Sequence, residues 1–354
     1  MMSQVGFAPR GGELKHALPE LWSQNVGDYV TALTVSADGT LVAVGTGRGE
    51  VWAFDVASGT LAFRVVAHRE GVLSASFAPR GRLLATAGQD GEARLFDLSG
   101  SLIAALTGGS AWVEHVAWAP DGQHLVTTAG RVARVWTPDG RAVLETAPQE
   151  STITGAAWNR KGDTLALACY GGVHLIDPFK GSQVRGLAWR GSLISLSWSP
   201  NNAVIACATQ ESAVHFWRLA TGKDSEISGF VSKPRALAWD HESKLLATGG
   251  DAVVSVWSFQ GKGPEGKPPK LLTGHQALCT ALAFHPKKPR LASGADDTGI
   301  LIWQPSSSDK PVAFAFLEET VTALQWAHGG QVLVAADAAG TVRAWREPNP
   351  SLAT

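Results

Sequence analysis

The sequence predicts an all-β fold: a single closed β-propeller of eight four-stranded blades, with a strand near the N-terminus completing the last blade. Three observations carry that prediction. One pattern recurs eight times, an apolar strand ending in a bulky residue, a Pro/Asp/Asn/Gly turn, an Ala-rich apolar strand, a short turn, and a third strand ending in Trp, Phe or Ile. The residues closing the third strands, Phe54, Phe96, Trp136, Ile176, Trp217, Trp257, Trp303 and Trp345, are spaced by 42, 40, 40, 41, 40, 46 and 42. Those near the ends of the first strands, Val35, Phe77, Trp118, Trp158, Trp198, Trp239, Phe284 and Trp326, keep step with them. Composition agrees: 39 Gly and 14 Trp in 354 residues, with only 17% charged, suit tight turns between short buried strands. A period of about 40–45 residues with several strands per repeat is that of propeller blades.

The units run at about 30–59, 72–100, 113–140, 153–181, 193–222, 234–261, 279–306 and 321–346. Unit two reads VLSASF (72–77), APRG, LLATAG (83–88), QDG, EARLFD (92–97). Unit seven repeats it as CTALAF (279–284), HPKKP, RLASG (290–294), ADDTG, ILIW (300–303). The long 46-residue step contains FQGKGPEGKPPK (259–270), a Gly/Pro/Lys-rich surface loop after which the repeat resumes in phase. Unit eight runs out after Trp345 and lacks an outer strand. ALPELWSQ (17–24), with Trp22 and two leucines, is assigned to that place, which closes the ring and removes a free edge. Ten tryptophans end first or third strands, where blades pack. Trp22, Trp52, Trp112 and Trp189 fall outside both registers.

Several function classes are disfavoured. A net charge of −1 offers no basic excess for nucleic acid. Cys169, Cys207 and Cys279 form no CxxC pair, which fits a reducing compartment. The N-terminal stretch lacks the apolar core of a signal peptide, and no run of about 18 apolar residues spans a membrane, so a cytoplasmic protein is expected. GTGRGE (45–50) is followed at once by a strand, VWAF, where a dinucleotide fingerprint needs a helix. Gly261 to Lys267 has phosphate-loop spacing, but Pro268 stands where Ser or Thr would hold Mg²⁺. Neither HExxH nor Gly-x-Ser-x-Gly occurs. No cofactor, metal site or catalytic residue is expected. His174 and His215 occupy equivalent places in units four and five, which leaves a second reading open: a propeller handling zinc or nickel through clustered histidines.

From about residue 17 to 346 the chain resembles the WD-repeat propeller family. Unit seven carries the best match, with Gly274-His275, Phe284, the Asp297 turn and Trp303. The resemblance implies a buried hydrogen-bonded tetrad of His275, Ser293, Asp297 and Trp303. Unit two nearly matches with His68, Thr86 and Asp90, but Phe96 has no N–H to donate. No third strand ends in the Trp-Asp dipeptide, whose one occurrence, Trp239-Asp240, closes a first strand; Phe54, Phe96 and Ile176 are the third-strand ends followed by Asp.

The resemblance further implies that the loops leading into the first strands line one rim of the central channel and meet a partner. Those loops supply Asp28, Tyr29, Glu70, Trp112, Glu114, Trp189, Arg190, Lys233, Arg235, Glu318 and Glu319. Acidic groups gather on units eight, one and two, basic ones on units five and six. Aromatic residues and Arg are enriched in interfaces. The expectation is a non-catalytic scaffold that is a monomer on its own and binds a protein or peptide on this rim.

Overall fold

Eight antiparallel sheets arise from the alternation of small apolar residues with turn-forming glycines. A computed structural model describes residues 16–80 and 82–348. Blade one is Val30–Val35, Leu41–Thr46, Glu50–Asp55 and Leu61–Val66, each strand hydrogen-bonded to the next. The second strands, such as Leu83–Gly88 and Leu291–Ala295, are almost wholly buried because both of their faces meet neighbouring blades. That is why they read as continuous Ala/Val/Leu runs without a polar alternation.

The hydrophobic core is divided into eight clusters, and each joins two successive blades. Phe63, Val72 and Phe77 belong to the cluster between blades one and two. Leu291, Leu301 and Trp303 pack on Val254 and Leu272 between blades six and seven. The cluster that unites Val30, Val42 and Phe54 of blade one with Val332, Val334 and Val342 of blade eight shows that the ring is closed.

Closure uses the N-terminal strand. Glu20–Asn25 pairs antiparallel with Thr341–Arg346 and is the outer strand of blade eight, in the order outer, third, second, inner. The expected span was 17–24. The paired strand begins at Glu20, and residues 16–18 turn aside to lie along blade seven, where Ala17 forms a parallel bridge with Phe314. Trp22 is buried between blades eight and one, and its indole N–H donates to Val56 O at 2.8 Å.

Blade four departs from the regular pattern. Its second and third strands merge into one element, Leu165–Ile176, which pairs with Gly155–Trp158 through its first half and with Gln183–Ser192 through its second. Gly171 and Gly172, at φ +93° and +138°, make the reversal there. A side chain at Gly172 would place Cβ 2.1 Å from Leu187 O, so only glycine fits.

Candidate partner-binding rim and buried tetrad

Antiparallel strands put alternate connections at opposite ends of each blade. The loops leading into the inner strands therefore share one face with the turns between second and third strands. Side chains pin the two sets together. Asp28 accepts from Arg48 N–H at 2.7 Å, Asp90 from Arg69 N–H at 3.1 Å, and Asp297 from Gln276 N–H at 2.6 Å. Asp337 accepts from Glu318 and Glu319 N–H at 3.0 and 3.2 Å.

Glycine lets neighbouring blades join along this face. Gly340, Gly49 and Gly91 have φ of +88°, +85° and +80°. A Cβ on them would lie 2.6 Å from Asp28 O, 2.2 Å from His68 O and 2.9 Å from Gly109 O, respectively. Each leading loop thus rests on the preceding blade's turn glycine, and blades eight, one, two and three form one continuous rim. Along it Tyr29 is 50% and Trp112 52% exposed. Glu70, Glu318 and Glu319 are exposed. Glu318 stands 3.5 Å from Arg343, and Asp28 3.8 Å from Arg48, both solvent-screened pairs.

The remaining rim candidates sit differently. Glu114 is not in a loop but on the inner strand Val113–Trp118, where burial raises its carboxyl above the usual range. Arg190 is exposed on the outer strand of blade four, and Lys233 and Arg235 are exposed before the inner strand of blade six. Trp189 departs from its expected place on a leading loop. It lies in Gln183–Ser192, stacked on His215 with ring centroids 3.8 Å apart. Its ring fills the gap between blades four and five, because the outer strand of blade four runs on to Ser192.

Inside blade seven, Trp303 Nε1–H donates to Ser293 Oγ at 2.8 Å, and Ser293 lies 2.7 Å from His275 Nε2. His275 Nδ1 faces the two Asp297 oxygens at 3.2 and 3.3 Å. Burial alone would raise the Asp297 carboxyl; His275 and the N–H groups of Gln276 and Gly299 outweigh it and hold the pKa below the ordinary value. In blade two, His68 Nε2 is 2.9 Å from Thr86 Oγ1 and Nδ1 is 2.8 Å from Asp90. Blades three and six keep one limb each: Trp136 donates to Thr127 at 2.8 Å and Trp257 to Thr248 at 3.1 Å.

The paired histidines of blades four and five have separate partners. His174 bonds Gln183 at 2.7 Å, and His215 bonds Asp224 at 3.0 Å. Among the described residues no three His, Cys, Asp or Glu side chains come together to hold a metal ion. Burial pushes the Cys207 thiol up and the Cys279 thiol up to about 12, so both behave as packing residues.

Comparison with known proteins agrees with this geometry. The sequence profile described as WD domain, G-beta repeat matches residues 59–97, 100–137, 225–258 and 266–304. The chain is a WD-repeat propeller. It is similar to the anaphase-promoting complex subunit cdc20 of Dictyostelium discoideum, 28% identical over 165 residues, which is 44% of this chain and 32% of that protein. It is also similar to the WD repeat-containing protein slp1 of Schizosaccharomyces pombe, 23% identical over 287 residues, 79% of this chain and 51% of that one. The chain thus spans about half or less of these relatives' length. In fold it matches the crystal structure of the computationally designed Ika8 protein, with a TM-score of 0.80 at 22% identity over 93% of this chain and all of the other.

One feature of the WD-repeat ring escaped the sequence reading. Inner-strand tryptophans reach across to the preceding blade. Trp118 donates to Ser76 O at 3.0 Å, Trp158 to Ala117 O at 3.0 Å, Trp198 to Ala157 O at 3.2 Å and Trp326 to Ala283 O at 3.1 Å. The tryptophan register marked the positions, but a repeat period does not say which neighbour an indole N–H faces.

Proposed function

We propose that the chain is a non-catalytic scaffold whose rim over blades eight, one, two and three holds a basic or mixed-charge segment of a partner protein. The observation that carries this reading is the pair of exposed aromatics, Tyr29 and Trp112, on a rim bearing Asp28, Glu70, Glu318 and Glu319. Large apolar side chains left in water on a rigid loop platform suit a desolvated contact, and carboxylates beside them steer a Lys/Arg-bearing segment toward it. The similarity to cdc20, a subunit of the anaphase-promoting complex by its name, supports a role in protein assemblies.

Binding to an array of Lys/Arg-bearing peptides tests it. Trp112→Ala should weaken the best binder by about 2 kcal/mol, chiefly through faster dissociation. Reversal of Glu318 and Glu319 to Lys should slow association. Salt should do the same, since the Debye length falls from about 10 Å at 0.1 M to about 3 Å at 1 M. Wild-type rates in both variants would move attention to Arg190, Lys233 and Arg235 across the ring.

A further inference from the structure

Among the described residues every blade but the seventh leaves its outer strand unpaired on one side, and such an edge presents backbone N–H and C=O groups to any extended chain. The eight outer strands are guarded unequally. Six carry charge: Arg64 in Leu61–Val66, Glu145 in Ala142–Glu145, Arg185 and Arg190 in Gln183–Ser192, Asp224 and Glu226 in Asp224–Ile227, Lys270 in Lys270–Leu272, and Glu20 in Glu20–Asn25. The outer strand of blade seven, Ala313–Phe316, has no charge but is covered. Phe314 N–H donates to His16 O at 3.0 Å, and Leu18 N–H donates to Phe314 O at 2.8 Å.

Among the described residues blade two has neither protection. Its outer strand Leu102–Thr107, LIAALT, lies in a stretch without charge from residue 98 to 112. Leu102 is 55% and Ile103 49% exposed, and Ala105 and Thr107 also face solvent. The flanks are smooth: Gly100 packs on Phe63 of blade one, and Gly140 of blade three packs on Ala104.

We propose that this edge is a self-association surface, on which two copies of the chain pair antiparallel through Leu102–Thr107 about a twofold axis. The occupant follows from charge. A twofold axis sets a strand against its own copy, so a charged outer strand meets like charge, and only a neutral one escapes that repulsion. Of the two neutral outer strands, the one in blade seven is already occupied. Its cover, a single parallel bridge at Ala17, shows that the circumference of this ring accepts an added extended segment. Two convex rings touch along little more than one blade, so the buried area falls at the low end for specific interfaces and the dimer dissociates on dilution. The proposal replaces the expectation of a monomer and is independent of the rim that binds a partner.

Sedimentation velocity of the full chain across a concentration series tests it. Wild type should shift from monomer to dimer as concentration rises. Ile103→Lys should abolish the shift, while Val66→Lys, at a more exposed site on the charged outer strand of blade one, should leave it intact. Ala105→Cys, near the strand's midpoint, should be captured as a disulfide dimer under air and copper phenanthroline, and Val184→Cys on blade four should not. The native Cys169, Cys207 and Cys279 are buried and do not compete. Wild type that stays monomeric throughout overturns the proposal. So does a dimer that survives Ile103→Lys and that Ala105→Cys fails to capture.

Discussion

Blades seven and two bury the same chain of His, hydroxyl and carboxylate, yet they begin and end it differently. In blade seven the chain starts at Trp303, whose N–H fixes Ser293, and it ends on Asp297, which takes two backbone N–H groups besides His275. In blade two Phe96 replaces the starting donor. The other end is reinforced instead: Arg94 Nη1 lies 3.0 Å from Asp90 and 3.1 Å from His68 Nδ1. The position facing Thr86 is Arg94, whereas the position facing Ser293 is Leu301. The difference teaches that a repeat can lose one member of a buried network and keep it closed, provided a neighbour on the next strand supplies a donor.

The largest effect should expose that redundancy. Asp297→Ala removes the acceptor of His275 Nδ1, and Leu301 at the facing position offers no donor in its place, at a cost of about 1–3 kcal/mol. Asp90→Ala should cost less, because His68 can switch tautomer and accept from Arg94 while Nε2–H turns to Thr86. Urea midpoints of the two variants measure the gap; a larger loss for Asp90→Ala would break the comparison.

Acid sharpens it next. Burial lowers the His68 pKa despite Asp90, so the neutral ring is the form the fold favours. Its contribution is complete above the ordinary value near 6.5 and is lost as pH falls below it. Asp90 moves from 3.8 to about 2; burial opposes the shift, and Arg69 N–H, His68 and Arg94 overcome it. Its contribution is present above pH about 4 and disappears as pH approaches about 2. Stability should therefore fall in two steps on acidification. Asp90→Asn should remove most of the lower one in blade two, leaving what Asp297 contributes in blade seven. An unchanged acid limb in that variant would assign the loss to other carboxylates.

Smaller again is Trp303→Phe, which makes blade seven resemble blade two. It removes the bond to Ser293 and some ring volume from a fully buried site, for about 1–2 kcal/mol. Ser293 can still donate to His275, so the rest of the network should persist, and the histidine's NMR tautomer signature should not change.

These networks were legible in the sequence to unequal depth. His275, Ser293, Asp297 and Trp303 could be named because each sits at a fixed offset within one repeat. The ring's period and its closure by Trp22 were readable for the same reason. What lay between repeats was harder. The merged strand Leu165–Ile176 follows from the backbone angles of Gly171 and Gly172, which no repeat period specifies, and Trp189 is carried away from the rim by the extra length of one outer strand. The exposed faces of Tyr29 and Trp112 fit their place outside the core registers or on a leading loop. The uncharged edge of blade two was visible in composition but had no meaning until the outer strands could be compared.

The smallest expected effect concerns the inner-strand tryptophans. Trp158 donates to Ala117 O across the blade boundary, whereas Trp239, equally buried at the same register position, has no partner for Nε1 among the described residues. A buried indole N–H without an acceptor forgoes a hydrogen bond that it had in water, so replacing it with a carbon edge should recover part of the loss. Trp239→Phe should then destabilise the protein by less than Trp158→Phe does, with the two variants separated by about 1 kcal/mol in urea. Both lose the same volume, Trp158 from an aliphatic cluster and Trp239 from one that holds Phe216 and Phe259, so the volume term largely cancels in the difference. Trp239 also touches Phe259, with ring centroids 4.6 Å apart, at the start of the Gly/Pro/Lys-rich loop. That contact survives as a Phe–Phe pair. Equal losses in the two variants would mean that the indole bonds between blades add nothing beyond ring packing.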